Sequence, residues 1–242
     1  MGAQRDLGLL VPGRLTLLGA SLSALPYYAT DAAGVRTGFE AELATAVGRE
    51  LGLELAWVDA DWSRFYDELR EGRVDAIWSS QAVTPERLAI VDFTRPYGRF
   101  DEGVMVRADA GVTGPEGLAG RRVAAIAGST NLRTARGIPD AVVVEVAGDT
   151  DDVFGDMIGM LRSGEVDAFV DDEPPLRDLD EEAADLALAF TVPCANPYAI
   201  AVRQGATALR EALDAALGAT IERGELADIW RRWFPRIAVP AL

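Results

Sequence analysis

The chain has 242 residues, 49% of them hydrophobic, which excludes a disordered protein and allows one large domain or two domains of about 120 residues. Its net charge of −16, from 39 acidic and 23 basic residues, makes nucleic acid and anionic membrane surfaces poor partners. Histidine is absent and Cys194 is the single cysteine, which argues against a zinc site, histidine-dependent catalysis and an intrachain disulfide. We predict neither a metal nor a cofactor.

Strands and helices alternate along the first third of the chain. In one segment apolar residues recur every four positions up to a glycine, as in an amphipathic helix packed on a sheet. The predicted elements are a strand at 14–21, a helix with Phe39, Leu43, Val47 and Leu51 ended by Gly52, a strand at 53–58, a helix from Trp62 to Gly72, and a strand at 74–78. This alternation predicts a parallel, doubly wound sheet.

A polar segment follows the last of these strands. Ser79 and Ser80 predict a turn at the strand end, and Thr84 before Pro85 indicates the start of a helix, whose amide groups favour an anion. Arg87 adds a planar guanidinium that matches a carboxylate. The segment therefore predicts a site for a small anionic group. An ordinary turn followed by a solvated arginine is the alternative.

The second half of the chain repeats this order. It predicts a strand at 122–127, a turn at Ser129 and Thr130 into a helix, a strand at 141–146, a helix from Val153 to Leu161 ended by Gly164, and a strand at 166–170. The pentapeptide 72–76, GRVDA, recurs as GEVDA at 164–168, each time between a helix end and a buried strand. The repetition predicts two lobes of like construction.

Each predicted lobe has polar residues beyond its strand ends, where open α/β sheets bind ligands. Arg87 stands there in the first lobe, and the acidic run 171–173 stands there in the second. A cation-binding lobe and an anion-binding lobe together match the two charges of an amino-acid zwitterion.

The assembled segments resemble the periplasmic amino-acid-binding proteins of ABC importers, the family-3 extracellular solute-binding proteins, over nearly the whole chain. The resemblance is carried by segments 38–52, 62–76, 84–87, 91–97, 128–130, 164–168, 197–203 and 233–234. It implies a two-lobed α/β fold, each lobe a doubly wound, mostly parallel sheet with flanking helices. Lobe 1 would comprise residues 1–99 and 197–242, and lobe 2 residues 100–196. Two hinge crossings would let the lobes close on a ligand.

The same resemblance implies a set of ligand contacts. Arg87 would hold the ligand α-carboxylate and Asp172 its α-ammonium group. The other implied contacts are Ser129 and Thr130 at a helix N-terminus, Ser80 and position 82 as donors and acceptors of the first lobe, and Trp62 as an apolar wall. A core aromatic is the alternative role for Trp62.

Three positions depart from the family pattern. Ala24 stands near the place of a usual aromatic residue, so Tyr27 or Tyr28 would supply the missing wall. Ala82 stands where the family has Ser, Thr or Gly, which removes one hydroxyl contact. Ser21 replaces the acid common in binders of basic amino acids, which disfavours an arginine or lysine ligand.

The leading hypothesis is a monomeric, non-enzymatic receptor that delivers a small amino acid or related zwitterion to an ABC importer permease. A carboxylate-dependent enzyme on the same fold, similar to cyclohexadienyl (prephenate or arogenate) dehydratase and using an acid such as Glu173, is the alternative. A sensor module of a larger receptor is a third. The N-terminus shows no signal peptide, so we expect either an extracytoplasmic protein whose export signal has been removed or a cytoplasmic protein.

Overall fold

The computed structural model describes residues 6–20, 25–193 and 197–241. The chain divides into two compact units, Met1–Arg99 with Asn196–Leu242, and Phe100–Ala195. These limits differ from the expected lobes only in the assignment of residue 196, which lies outside the described residues, as do Ser21, Ala24 and Cys194. In the described ranges no helix is long and apolar enough to cross a membrane.

The elements follow one another in a regular order. Up to residue 99 they are β1 (Arg14–Ala20), β2 (Ala29–Thr30), β3 (Arg36–Thr37), α1 (Phe39–Leu51), β4 (Glu54–Ala60), a 3₁₀ helix (Trp62–Arg64), α2 (Phe65–Arg70), β5 (Ala76–Ala82), α3 (Pro85–Leu88) and β6 (Val91–Phe93). The second unit has β7 (Glu102–Arg107), a 3₁₀ helix (Pro115–Leu118), β8 (Arg122–Ile126), α4 (Thr130–Gly137), β9 (Val142–Val146), α5 (Val153–Ser163), β10 (Ala168–Asp172), α6 (Glu173–Glu182) and β11 (Leu186–Val192). The chain ends with β12 (Tyr198–Arg203), α7 (Thr207–Glu222) and α8 (Glu225–Trp233).

Each unit contains one five-stranded sheet, and the two sheets have the same topology. The strand order is β4-β1-β5-β12-β6 in the first unit and β9-β8-β10-β7-β11 in the second. In each sheet one strand, β12 or β7, runs antiparallel to its two neighbours. That strand is the first one after the chain enters the unit from the other one. The predicted α/β fold with mostly parallel sheets is therefore confirmed.

The repeated pentapeptide leads into corresponding strands, β5 and β10. The Asp75 carboxylate accepts a hydrogen bond from the Thr16 amide of β1 (2.8 Å), and the Asp167 carboxylate accepts one from the Arg122 amide of β8 (2.9 Å). Because these aspartates bridge to the neighbouring strand, β5 and β10 begin only after them. The predicted strands at 74–78 and 166–170 were each placed two residues too early for this reason.

Helices cover both faces of the second sheet. Val104 and Val106 of β7 belong to a core cluster that includes Leu132 of α4, whereas Met105 belongs to a second cluster with Met157 of α5. Successive residues of a strand point to opposite faces, so both faces of this sheet are buried. Polar residues that could meet a ligand are then restricted to the strand ends.

An aromatic cluster forms part of the core of the first unit. The Phe39 ring of α1 lies 5.4 Å from the Trp230 ring and 4.9 Å from the Phe234 ring. Phe39 and Trp230 have no exposed surface, so the end of the chain completes the core that α1 begins. The predicted end of α1 is confirmed, because Gly52 follows it in the left-handed conformation (φ 65°).

Two features of the fold differ from the sequence prediction. Strand β5 continues through Ser79 and Ser80 to Ala82, so the predicted serine turn is a strand. Helix α6 and strand β11 were not predicted, because Pro174 and Pro175 interrupt the helical pattern in the first turn of α6. Proline is tolerated there because the first amides of a helix have no intrahelical acceptor.

Candidate functional site

Arg87 lies in the short helix α3, just beyond the carboxyl end of β5. The Thr84 hydroxyl accepts a hydrogen bond from the Arg87 amide (3.3 Å) with Pro85 in the first turn, so the predicted helix cap is confirmed. The Arg87 side chain folds back, and its Nη1 donates to the Ala82 carbonyl (3.0 Å). Arg87 is only 7% exposed, which excludes the alternative of a solvated arginine.

Two aromatic rings hold the Arg87 guanidinium. Its Cζ atom lies 5.5 Å from the ring centroid of Trp62 and 5.5 Å from that of Tyr66. Contacts of this kind stabilise a cation by roughly 0.5–2 kcal/mol each. Trp62 is half-buried and packs on Phe65 at 5.3 Å. Trp62 thus contacts both the apolar core and the arginine.

Tyr66 connects Arg87 to the strand. Its hydroxyl donates to the Gln81 side-chain oxygen (2.6 Å), and the Gln81 amide nitrogen donates to the Ser79 carbonyl (2.7 Å). Burial raises the pKa of Tyr66 to about 12, with the Arg87 charge acting in the opposite direction, so the phenol stays protonated at neutral pH. The Arg87 site is therefore fixed by a hydrogen-bonded support that reaches back into β5.

Ser80 does not present its donors as the sequence predicted. Its amide donates to Oε1 of Glu40 (2.9 Å), and its hydroxyl donates to the same oxygen. Ser80 has a left-handed backbone (φ 44°), which is uncommon for a residue with a side chain. Both donors of Ser80 are thus engaged inside the unit, which argues against the predicted ligand contact.

The two tyrosines of the first loop have different environments. Tyr27 is 7% exposed and packs edge-on against Phe234 at 5.8 Å, so it belongs to the core, which argues against its predicted role as a ligand wall. The Tyr28 hydroxyl lies 3.3 Å from the Ser79 hydroxyl on β5. Tyr28 is therefore the tyrosine that reaches the strand leading to Arg87.

A second arginine, Arg36, lies over the end of β1. Its guanidinium forms an ion pair with Asp59 and lies 5.0 Å from the Trp57 ring and 5.9 Å from the Tyr28 ring. The side chain is 7% exposed. A Cβ atom at Gly19 would lie 2.6 Å from Nη1 of Arg36, so a side chain there would displace the guanidinium from this position. Arg36 has no recognisable signal in the sequence, because β3 is a strand of only two residues and gives no pattern.

In the second unit Ser129 and Thr130 begin α4, as predicted. The Ser129 hydroxyl accepts from the Leu132 amide (3.1 Å) and donates to the Ile126 carbonyl (2.6 Å), so it acts as the helix cap. Within the described part of the chain, the Thr130 hydroxyl has no hydrogen-bond partner. Thr130 and the first amides of α4 are the groups that could meet an anion at this helix end.

Asp172 ends β10 and immediately precedes α6. Its Oδ1 accepts a hydrogen bond from Nδ2 of Asn131 in α4 (3.2 Å), and its amide donates to Oδ1 of Asp171 (2.7 Å). Burial, followed by the negative charge of Asp172, raises the pKa of Asp171 to about 8. The two adjacent carboxyl groups form an acidic site that suits a single cationic group.

Glu40 is a buried acid that the sequence analysis did not single out. It lies in the first turn of α1 with no exposed surface, and the Tyr97 hydroxyl is 3.0 and 2.9 Å from its two oxygens. Burial raises the pKa of Glu40 to about 7 despite the hydrogen bonds from Ser80 and Tyr97 that lower it. The available sequence signal for this buried acid was its position between Phe39 and Ala41 at the start of the predicted helix.

We predict that Glu40 makes the stability of the first unit depend on pH. Between about pH 4.5 and 7 the folded unit binds a proton that the unfolded chain releases, so the free energy of unfolding falls as pH rises. The decrease should be on the order of 3 kcal/mol over this window. Urea unfolding at pH 5 and 7.5 measures it through tryptophan emission, since all five tryptophans belong to the first unit. Glu40→Gln should lose this decrease; an equal decrease in both proteins would contradict the assignment.

The described residues contain no group of three or more His, Cys, Asp or Glu side chains that could hold a metal ion. A model of the bacterial extracellular solute-binding proteins, family 3, matches residues 17–236. The chain belongs to this family. The resemblance inferred from the sequence motifs is confirmed.

Several relatives and solved structures that are similar to this chain are binding proteins. A probable amino-acid ABC transporter-binding protein of Haemophilus influenzae is 28% identical over 222 residues, which cover 90% of this chain and 84% of the relative. The structure of an ancestral arginine-binding protein bound to glutamine is similar with a TM-score of 0.82 and 27% identity, covering 93% of this chain and 99% of that one. An ancestral amino acid-binding protein, a precursor of cyclohexadienyl dehydratase, has a TM-score of 0.78 and 25% identity, covering 92% and 95%.

Proposed function

We propose that this family-3 protein is a receptor that binds a small amino acid or a related zwitterion and delivers it to the permease of an ABC importer. The observation that carries the proposal is Arg87, a buried guanidinium held by Trp62, Tyr66 and the Ala82 carbonyl at the carboxyl end of β5. A preorganised guanidinium binds a carboxylate bidentately without a large loss of side-chain entropy. We also propose that the protein is a monomer and that it acts outside the cytoplasm.

The two charges of the ligand are assigned to different units. Arg87 would bind the α-carboxylate, with Thr130 and the first amides of α4 as further donors. Asp172 would bind the α-ammonium group, oriented by Asn131. Trp62 would cover the apolar part of the ligand, and the Ala82 backbone would border the site. Neither Arg87 nor Asp172 alone satisfies both charges of the ligand, so we expect tight binding to require both side chains.

Arg36 favours a ligand without a cationic side chain. Its guanidinium is held at the end of β1, the strand that pairs directly with β5. An arginine or lysine side chain entering there would meet a buried positive charge, whereas a neutral or acidic side chain would not. We therefore propose that the ligand class differs from that of the similar arginine-binding proteins.

The dehydratase alternative needs a side chain that can donate a proton, and Glu173 was the candidate. Nε of Arg177 donates to Oε1 of Glu173 (2.6 Å), and the two residues form an ion pair one helical turn apart. The Glu173 carboxyl group is thus engaged by Arg177 within α6, which leaves it poorly placed to donate a proton to a substrate. The geometry therefore favours the non-enzymatic receptor.

A thermal-shift screen of the amino acids and betaine-like solutes tests the proposal. A ligand at one hundred times its dissociation constant should add roughly 2.7 kcal/mol of stability. Neutral or acidic amino acids should raise the unfolding temperature, and L-arginine and L-lysine should not. Stabilisation by no zwitterion would contradict the receptor, and stabilisation by L-arginine alone would contradict the role of Arg36. Conversion of prephenate or arogenate to an aromatic product would instead support the dehydratase.

Trp62 should report ligand binding by fluorescence. Its ring lies 5.5 Å from the Arg87 guanidinium, so a carboxylate that neutralises this cation changes the electrostatic field at the indole. We expect the ligand-induced change in emission to disappear in Trp62→Phe and to persist in Trp233→Phe, a half-buried tryptophan of α8. A full signal in Trp62→Phe would place Trp62 away from the ligand.

A further inference from the structure

Glu40 and Ser80 are each in an energetically unfavourable state, and the two residues are in contact. A carboxyl group with no exposed surface loses its hydration, and every hydrogen-bond partner that the described residues give it is neutral. Ser80 adopts a left-handed conformation that is disfavoured for a residue with a side chain. The two residues are joined by two hydrogen bonds, so the carboxyl group compensates the backbone strain that it contacts.

The left-handed residue changes the course of β5. The pairing of β12 with β5 shifts between Ala199 and Ala201, which face Gln81 and Ile77. Strand β5 therefore has extra residues opposite β12 at Ser80, which is a β-bulge. Bulges of this kind redirect the residues that follow them, here Gln81 and Ala82.

Both redirected residues support Arg87. The Ala82 carbonyl accepts from Nη1 of Arg87 (3.0 Å). The Gln81 side chain accepts from the Tyr66 hydroxyl (2.6 Å), and the Tyr66 ring lies 5.5 Å from the Arg87 guanidinium. A continuous set of contacts thus runs from Glu40 through the Ser80 backbone to the guanidinium, all within the first unit.

We propose that Glu40 is a positioning residue of the ligand site, which acts through the Ser80 backbone to fix Arg87. The role of Arg87 as the carboxylate ligand rests on the proposed function; the positioning of Arg87 does not. In this proposal Glu40 itself does not contact the ligand, and the Ser80 hydroxyl donates its hydrogen bond to Glu40.

Two substitutions of Ser80 separate this role from a direct ligand contact. Ser80→Gly removes the hydroxyl but adopts φ 44° without strain, because glycine has no Cβ. Ser80→Ala removes the same hydroxyl and keeps the strain. We expect Ser80→Ala and Glu40→Leu, which removes the acceptor of both Ser80 hydrogen bonds, each to weaken binding by roughly ten- to a hundredfold, as misplaced binding groups do. Ser80→Gly should bind within a few-fold of the wild type, and Glu40→Leu with Ser80→Gly should regain most of the affinity lost in Glu40→Leu.

Calorimetry with the ligand found in the screen measures these affinities. Equal losses in Ser80→Gly and Ser80→Ala would show that the hydroxyl binds the ligand, and would overturn the proposal. Wild-type binding in Glu40→Leu, or no recovery in the double variant, would also overturn it.

A ligand-free readout separates this proposal from the proposed function. The emission of Trp62, obtained by subtracting the spectrum of Trp62→Phe, senses the guanidinium at 5.5 Å without any ligand. We expect it to change in Ser80→Ala and Glu40→Leu and to return in the double variant; no change would overturn the positioning role. If these spectra behave as expected while Arg87→Ala binds the ligand normally, the carboxylate assignment fails and the positioning of Arg87 by Glu40 stands.

Discussion

Replacement of Arg87 by alanine is expected to reduce ligand affinity by on the order of 2–5 kcal/mol, and replacement of Asp172 by alanine should have a similar effect. Each substitution leaves one charge of a bound zwitterion without its partner in a desolvated site. In dissociation constants, the loss is roughly 30-fold to several-thousand-fold. Isothermal titration calorimetry with the screened ligand measures it. Wild-type affinity in both variants would contradict the assignment of the two charges.

Controls distinguish loss of the site from loss of charge or of structure. Arg231→Ala removes an exposed arginine whose side chain is 64% accessible and pairs with Asp228, and it should leave the affinity unchanged. Arg87→Lys keeps the positive charge but loses the planar group that lies over Trp62 and Tyr66, so it should recover only part of the affinity. If Arg231→Ala lost as much ligand affinity as Arg87→Ala, the loss would reflect a long-range effect of charge and not a contact in the site.

The substitution Gly38→Ala is expected to destabilise the first unit by on the order of 2–5 kcal/mol. Gly38 precedes α1 with φ 108°, and a Cβ atom there would lie 2.3 Å from the Tyr27 carbonyl oxygen and 2.6 Å from the Tyr28 Cα. These are backbone atoms that a side-chain rotation does not move. The first amides of α1 donate to the same loop, from Phe39 to the Pro26 carbonyl and from Glu40 to the Tyr27 carbonyl.

Gly34→Ala is the matched control for this prediction. Gly34 also has a positive φ (79°), but a Cβ atom at that position would meet nothing within 4 Å. Its substitution should cost about 1 kcal/mol, the backbone part of the effect alone. Urea unfolding followed by tryptophan emission compares the two variants. Equal destabilisation would contradict the steric argument at Gly38.

Features that depend on neighbouring residues could be read from the sequence. Gly52 and Gly164 end their helices in the left-handed conformation, and Thr84 caps α3 as its position before Pro85 predicts. The repeated pentapeptide correctly indicated two similarly built units, because its aspartate performs the same bridging role in each. These signals are local, so they survive without knowledge of the tertiary contacts.

Features that depend on contacts between residues far apart in the chain could not be predicted from the sequence. The apolar stripe predicted α1, but the burial of Glu40 depends on Tyr97 and Ser80, which lie 57 and 40 residues away in the sequence. The contact of Tyr27 with Phe234, near the end of the chain, likewise joins residues far apart in the sequence. The serines of β5 predict a turn from sequence alone, because polar residues in a buried strand are rare unless a partner satisfies them. Glu40 is that partner for Ser80.

The position of β12 between β5 and β6 has a consequence for biosynthesis. The second unit is continuous in the chain, so all of its strands have been translated once residue 192 is made. The first sheet still lacks its fourth strand at that time, and the edge strand β6 lacks its neighbour. We therefore expect the internal unit to fold first on the ribosome, while β5 keeps an open edge until the C-terminal segment emerges. Nascent chains arrested before β12 should accordingly be the species most in need of a chaperone.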